Sequence, residues 1–148
     1  MGGRDFTHAL ARKIARKIAE EDPEMRLSEE QLERMAQQLR TKAEEAKRQL
    51  SLEDIDETSL EIEDPNAADN VRFVDVMETE LLQACEELLA SVRAFVTRFA
   101  SGKQFDSVEL CGGGLRMRQL RACVAAGLQA AGIPEISCGE GREVLDAS

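Results

Sequence analysis

Glu44, Lys47, Arg48 and Ser51 stand at i, i+3, i+4 and i+7, a spacing that puts all four on one side of a helix. An acid, two bases and a hydroxyl grouped in this way offer donors and acceptors to the hydroxyls of a ribose and the edge of a purine. The same spacing also gives an ordinary i,i+4 ion pair between Glu44 and Arg48, worth about 0.3–0.5 kcal/mol. A second group lies in VELCGGGLRMRQL, Val108 to Leu120, where an apolar run, three glycines and a helix-like pattern follow one another. A strand, a glycine turn and a helix start can bring backbone against a phosphate or a flat ring. The stretch has no G-K-[ST] and does not read G-x-G-x-x-G, so it is neither a phosphate loop nor a dinucleotide fingerprint. A plain tight turn also accounts for it.

Other chemistry has little support. His8 is the only histidine, and no serine or cysteine nucleophile stands beside it. Cys85, Cys111, Cys123 and Cys138 form no C-x-x-C pair, which argues against a zinc site. Cys85 and Cys123 fall on apolar helix faces, where cysteine behaves as a small hydrophobe, and the chain reads as one of a reducing, cytoplasmic compartment. The net charge of −10 over 148 residues argues against a nucleic-acid binder. No apolar run approaches a membrane span, the N-terminus has no signal core, and Phe6 stands where a myristoylation motif needs Ser or Thr. With 43% apolar and 32% charged residues, the composition is that of a soluble globular domain.

The elements that must position these residues follow from periodicity. Phe6, Leu10, Ile14 and Ile18 make an apolar stripe, predicting a helix from about Phe6 to Glu21 with Arg12, Lys13, Arg16 and Lys17 on a solvated face. Asp22-Pro23 stops it. Ser28 with Gln31 forms a capping box, and Leu27 with Leu32 a hydrophobic staple, for a second helix reaching about Leu50. Its apolar face is Leu32, Met35, Leu39, Ala43, Ala46 and Leu50. Leu60 and Ile62 alternate with Ser59 and Glu61, and Phe73 alternates with Arg72 and Val74, predicting two strands joined across DPNAADN, Asp64 to Asn70. A wide apolar stripe from Leu81 to Phe99 predicts one long helix, about Thr79 to Ala100, ended at Gly102. Asp106 to Cys111 reads as a short strand, Gly112 to Gly114 as a turn, and Arg116 to Ala131 as a helix ended by Gly132 and Pro134. EISCGEGREVLDAS at the end has room for a strand and one helical turn. The order is α/β in content but segregated, an α+β arrangement and not a regular βαβ series.

Taken in order, four stretches resemble the seventy-kilodalton heat-shock chaperone family, in the second lobe of its actin-like ATPase domain. GGRDF resembles G-G-x-D-F. LRTKAEEAKRQLS resembles L-R-x-x-x-E-x-A-K-R-x-L-S. VDVMETELLQ resembles the passage from strand to helix after the hairpin, and VELCGGGLRMRQL resembles a strand followed by G-G-S-T-R-I-P. The resemblance spans Gly2 to about Glu140. It implies helices packed on a small sheet, with residues 1–110 forming a helical and hairpin subdomain (IIB-like) and 111–148 a partial, nucleotide-facing strand-turn-helix unit (IIA-like).

By this resemblance Glu44, Lys47, Arg48 and Ser51 match positions that hold adenosine. Gly112 and Gly113 match the glycine pair whose backbone passes the nucleotide, and Arg116 matches the arginine that stacks on adenine. The implied cofactor is ATP or ADP, with magnesium held by parts of the family's domain that are not in this sequence. Catalytic residues, phosphate loops and metal ligands are likewise not among these residues, so the chain alone is expected not to hydrolyse ATP. The implied partners are a nucleotide exchange factor and co-chaperones, with the chain itself a monomer. Gly114 and Leu115 replace the family's Ser-Thr, and Arg118 its proline. Glu140 falls near a family aspartate and Asp146 at a packed glycine. The alternative is a divergent, non-catalytic actin-like interaction module, which the lost hydroxyls and acidic surface fit. A sugar-kinase or filament branch is disfavoured by the E-x-A-K-R-x-L-S helix.

Overall fold

The computed structural model describes residues 2–64 and 67–133. Met1, Pro65, Asn66 and residues 134–148, with Cys138, Glu140, Asp146 and the strand and helical turn expected there, lie outside the described residues. In chain order the elements are α1 (Gly3–Glu21), α2 (Glu29–Gln49), β1 (Glu57–Asp64), β2 (Ala67–Met77), α3 (Glu78–Ala84), α4 (Glu86–Ala100), a 3-10 turn (Gly113–Arg116) and α5 (Arg118–Ala130). The fold is α+β, with a two-stranded antiparallel sheet.

α1 begins at Gly3, earlier than the periodicity suggests, because Asp5 caps it. The Asp5 carboxylate accepts from the Gly2 N–H at 2.7 Å, and an acid in the first turn suits the helix dipole. α2 starts at the capping box, with Ser28 N–H donating to Gln31 Oε1 at 2.9 Å and Gln31 N–H to Ser28 Oγ at 3.3 Å. Its opening turns stand away from the core. Leu32 is exposed and Met35 half-buried, whereas Leu39, Ala43, Ala46 and Leu50 are buried.

β1 and β2 pair Leu60 with Val74 and Thr58 with Val76. Leu60, Ile62, Val74 and Val76 face the core. That register turns Phe73 outward, where it is 67% exposed, so the apolar alternation of β2 runs through Val74 and Val76 and not through Phe73. The side-chain period of two permits only one of these sets inside.

The single long helix expected from Thr79 to Ala100 is broken at Cys85, whose φ −103°, ψ 6° leaves the helical region. The break follows from having two partners: α3 packs on α1, and α4 packs on α5. At the second contact the two helices approach closely over Gly127, where a Cβ would sit 3.1 Å from the Arg93 carbonyl and from Val96, tighter than ordinary van der Waals contact. The strand expected at Asp106–Cys111 is not formed among the described residues, where the segment is irregular. A strand requires a ladder partner, and among the described residues β1 and β2 pair only with each other.

The main core joins α1, the second half of α2, the inner sheet face, Leu81 and Cys85, closed by Met117 just before α5 and Leu120 within it. A smaller cluster of Ala100, Val124 and Leu128 lies between α4 and α5. The basic face of α1 is only partly solvated. Lys17 reaches the Asp75 carbonyl at 2.6 Å and Glu80 at 3.1 Å, and Lys13 reaches Gln83 at 3.4 Å.

Candidate functional site

The second half of α2 is held against α1, so its polar edge is built on a rigid base. Lys47 Nζ donates to the Gly3 carbonyl at 3.1 Å, the Thr7 hydroxyl at 2.9 Å and Glu44 Oε2 at 2.7 Å. The Thr7 hydroxyl in turn donates to the Glu44 carboxylate. The Lys47 side chain is 12% exposed, and these three acceptors saturate its ammonium donors. Partial burial pushes the Glu44 carboxyl up. The hydrogen bonds from Lys47 and Thr7 and the charges of Lys47 and Arg48 outweigh it, holding the group below the usual carboxylate value.

Arg48 lies on the outer side of this cluster, with Nε 3.4 Å from Glu44 Oε1 and its side chain 76% exposed. The ordinary i,i+4 ion pair is therefore present, and the guanidinium still faces solvent. Ser51 Oγ donates to the Lys47 carbonyl at 2.6 Å, capping the end of α2. An open groove of about 680 Å³ runs along α2, lined by Arg40, Thr41, Glu44, Glu45, Arg48 and Gln49. Arg116 does not line it.

The glycine turn is a real backbone device. Gly112 has φ 123°, ψ 149°, a region open essentially to glycine alone. Leu115 N–H then donates to the Gly112 carbonyl at 3.0 Å and Met117 N–H to that of Gly114 at 3.2 Å. Gly112, Gly113 and Arg116 are exposed. The Arg116 carbonyl accepts from Arg121 Nη1 at 3.0 Å, which fixes its backbone, and its side chain is exposed.

Both candidate groups meet at Gly3. Its carbonyl accepts from Lys47, and its nitrogen would lie 3.8 Å from a Cβ on Gly114. The G-G-x-D-F stretch, weak by itself, is thus the joint between α2 and the turn.

A third group was not legible as a site. Arg118 Nη2 donates to the Ile55 carbonyl at 3.2 Å and lies 3.0 Å from Glu78 Oε2 and 3.4 Å from Asp56 Oδ1. Gln119 Nε2 donates to the Leu50 carbonyl at 2.8 Å and to Glu78 Oε1 at 2.7 Å. The only signal in the sequence was Arg118 standing where the resemblance has proline. Thr7 was missed as well; its signal was a hydroxyl beside the apolar stripe of α1.

The family description "Hsp70 protein" matches residues 1–131. This chain belongs to the Hsp70 family. The match covers all four stretches that carried the resemblance, and with it comes the actin-like ATPase architecture and the ATP-binding chaperone class. The matched region corresponds to part of the nucleotide-binding domain of a heat-shock chaperone, a family that works with co-chaperones and exchange factors. A search of curated proteins returns no match. Among the described residues, no helix is long and apolar enough to cross a membrane, and no three His, Cys, Asp or Glu side chains are grouped to hold a metal.

Proposed function

We propose that this Hsp70-family chain forms the adenosine-side wall of an ATP/ADP site. The observation that carries the reading is the junction at Gly3, where Lys47 hydrogen-bonds the Gly3 carbonyl and the Gly112–Arg116 turn passes within van der Waals reach of the Gly3 nitrogen. Within this wall Lys47 and Glu44 act as supports, because their polar atoms are already paired with each other and with Thr7. Arg48 and Arg116 are the exposed cations, suited to the two faces of a purine, since a guanidinium is planar, weakly hydrated and stacks well. Gly112 and Gly113 allow close approach of backbone to the nucleotide. Phosphates and magnesium are held by other parts of the domain, and this chain by itself does not hydrolyse ATP. The division near residue 110, the cytoplasmic location and the monomeric state belong to the same reading.

The exchange-factor surface is the outer face of the hairpin. Val71, Phe73 and Met77 are exposed along β2, opposite Glu63, Glu61 and Glu57 on β1. An apolar row beside an acidic row suits a protein partner with apolar anchors and basic flanks. One observation favours the second reading, a non-catalytic interaction module: the Lys47 ammonium is spent on Glu44, Thr7 and Gly3 and does not line the open groove. Titrating ADP into isotope-labelled protein separates the two. Saturable amide shifts at Arg48, Ser51 and Gly112–Arg116 support the adenosine wall, and no shift at these positions supports the module.

A further inference from the structure

Two side chains at the start of α5 tie three separate parts of the fold together. Gln119 holds the carbonyl of Leu50, the residue before Ser51, and shares the Glu78 carboxylate with Arg118. Arg118 also holds the Ile55 carbonyl and approaches Asp56. Glu78 closes the group, its N–H donating to the Asp56 carbonyl at 2.8 Å. The end of α2, the base of the hairpin and the first turn of α5 are therefore joined through one carboxylate.

We infer that Arg118, Gln119 and Glu78 form a clasp that positions the glycine turn and Arg116 against the end of α2. The inference rests on the adenosine-wall reading for its functional meaning. Arg116 precedes Arg118 by two residues, and Ser51 follows Leu50 directly, so the clasp adjoins both the glycine turn and the end of α2. Its composition argues for geometry over stability. Arg118 Nε and Gln119 Oε1 are buried with no hydrogen-bond partner among the described residues, and such orphaned atoms offset what the paired ones contribute. What remains is directional. The bidentate carboxylate fixes Arg118 and Gln119 relative to one another, and two backbone carbonyls fix both relative to α2 and β1. None of the three is a catalytic residue; each acts through the backbone it holds.

Arg118→Met keeps the bulk and removes the charge; Arg118→Lys keeps the charge. Amide hydrogen exchange at Leu115 and Met117, with Leu10 and Ile14 of α1 as internal references, reads the turn without nucleotide. Arg118→Met is expected to speed exchange at Leu115 and Met117 by about tenfold or more with the α1 amides unchanged, and Arg118→Lys, which keeps the charge and loses the planar fork, to fall between Arg118→Met and the unaltered chain. ADP titration should show Arg118→Met weakened roughly tenfold, the scale of one charge-assisted hydrogen bond. Unchanged exchange in Arg118→Met overturns the clasp. Faster exchange with ADP affinity unchanged, while Arg116→Ala loses affinity, overturns its role in positioning the site. If the unaltered chain gives no saturable ADP response, the adenosine-wall reading fails, and the exchange data alone decide the clasp. Glu78→Gln, which keeps the side-chain shape, repeats the exchange test from the other partner should Arg118→Met unfold.

Discussion

Lys47 Nζ donates to the carbonyl of Gly3 at 3.1 Å, tying the C-terminal half of α2 to the first turn of α1. Removing this amine leaves the Thr7 hydroxyl, the Glu44 carboxylate and a helix-start carbonyl without their shared donor. Lys47→Met is therefore expected to destabilise the chain by about 1–3 kcal/mol, read by urea unfolding at neutral pH. Arg48→Met, at an exposed site, should change stability by less than about 0.5 kcal/mol. Equal effects of the two would contradict the division into support and exposed ligand-facing cation.

The glycines of the turn differ in what they tolerate. Gly112 at φ 123° strains any side chain, and Gly112→Ala should cost about 1–3 kcal/mol. A Cβ at Gly114 meets only ordinary contacts at 3.8 and 3.9 Å. Gly114→Ser should therefore fold as stably as the unaltered chain, and it restores the hydroxyl that the family resemblance places there. The thermal unfolding temperatures of the two variants check the order, and tighter ADP binding by Gly114→Ser checks the hydroxyl.

Stability should fall at both ends of the pH scale, for opposite reasons. Glu44 and Glu80 sit below their ordinary value of 4.5. For Glu80, burial pushes up and is outweighed by the Met77 N–H and Lys17. Their contribution is present above that value and is lost as pH falls through the folded-state pKa. Burial pushes the Cys85 thiol from 9.0 up to about 11. Its contribution is full below 9.0 and is lost as pH rises toward 11, with a slope of about 1.4 kcal/mol per pH unit. Urea unfolding should be nearly level from pH 7 to 8 and fall between pH 9 and 10.5, and Cys85→Ala should reduce that fall. In the folded chain at pH 8, alkylation should reach exposed Cys111 well before buried Cys85.

Phe73 is the most exposed large apolar residue of the hairpin. Phe73→Ser should leave the unfolding free energy within about 0.5 kcal/mol, while weakening association with a purified exchange factor of the family. A stability loss comparable to a core truncation would place Phe73 in the fold and not on a contact surface.

Much of this architecture was legible because its signals are local. The Ser28–Gln31 box, the stripe of α1 and the left-handed Gly102 each depend on a few neighbouring residues, and each stands where expected. The misreadings came from tertiary choices. Phe73 and Val74 are both apolar neighbours on one strand, and only the pairing with Leu60 decides which goes inside. The stripe from Leu81 to Phe99 is continuous, but Cys85 turns the chain because α3 and α4 have different partners. Asp106–Cys111 has strand-like residues and no strand beside it. In the candidate site, helical spacing grouped Glu44, Lys47, Arg48 and Ser51. It did not reveal that Lys47 points back to Gly3 and Thr7, forty or more residues away in sequence. The Arg118–Glu78 contact is equally long in range and left no pattern to read.

The most direct measurement of the adenosine-wall account is ADP titration of the labelled chain beside Arg116→Ala, with both confirmed folded by circular dichroism. The account predicts weak but saturable amide shifts centred on Arg48, Ser51 and the Gly112–Arg116 turn. It predicts that Arg116→Ala weakens them by about 1–2 kcal/mol, the scale of a stacked cation. Saturable binding that Arg116→Ala leaves unchanged, or no response at these residues, would contradict it.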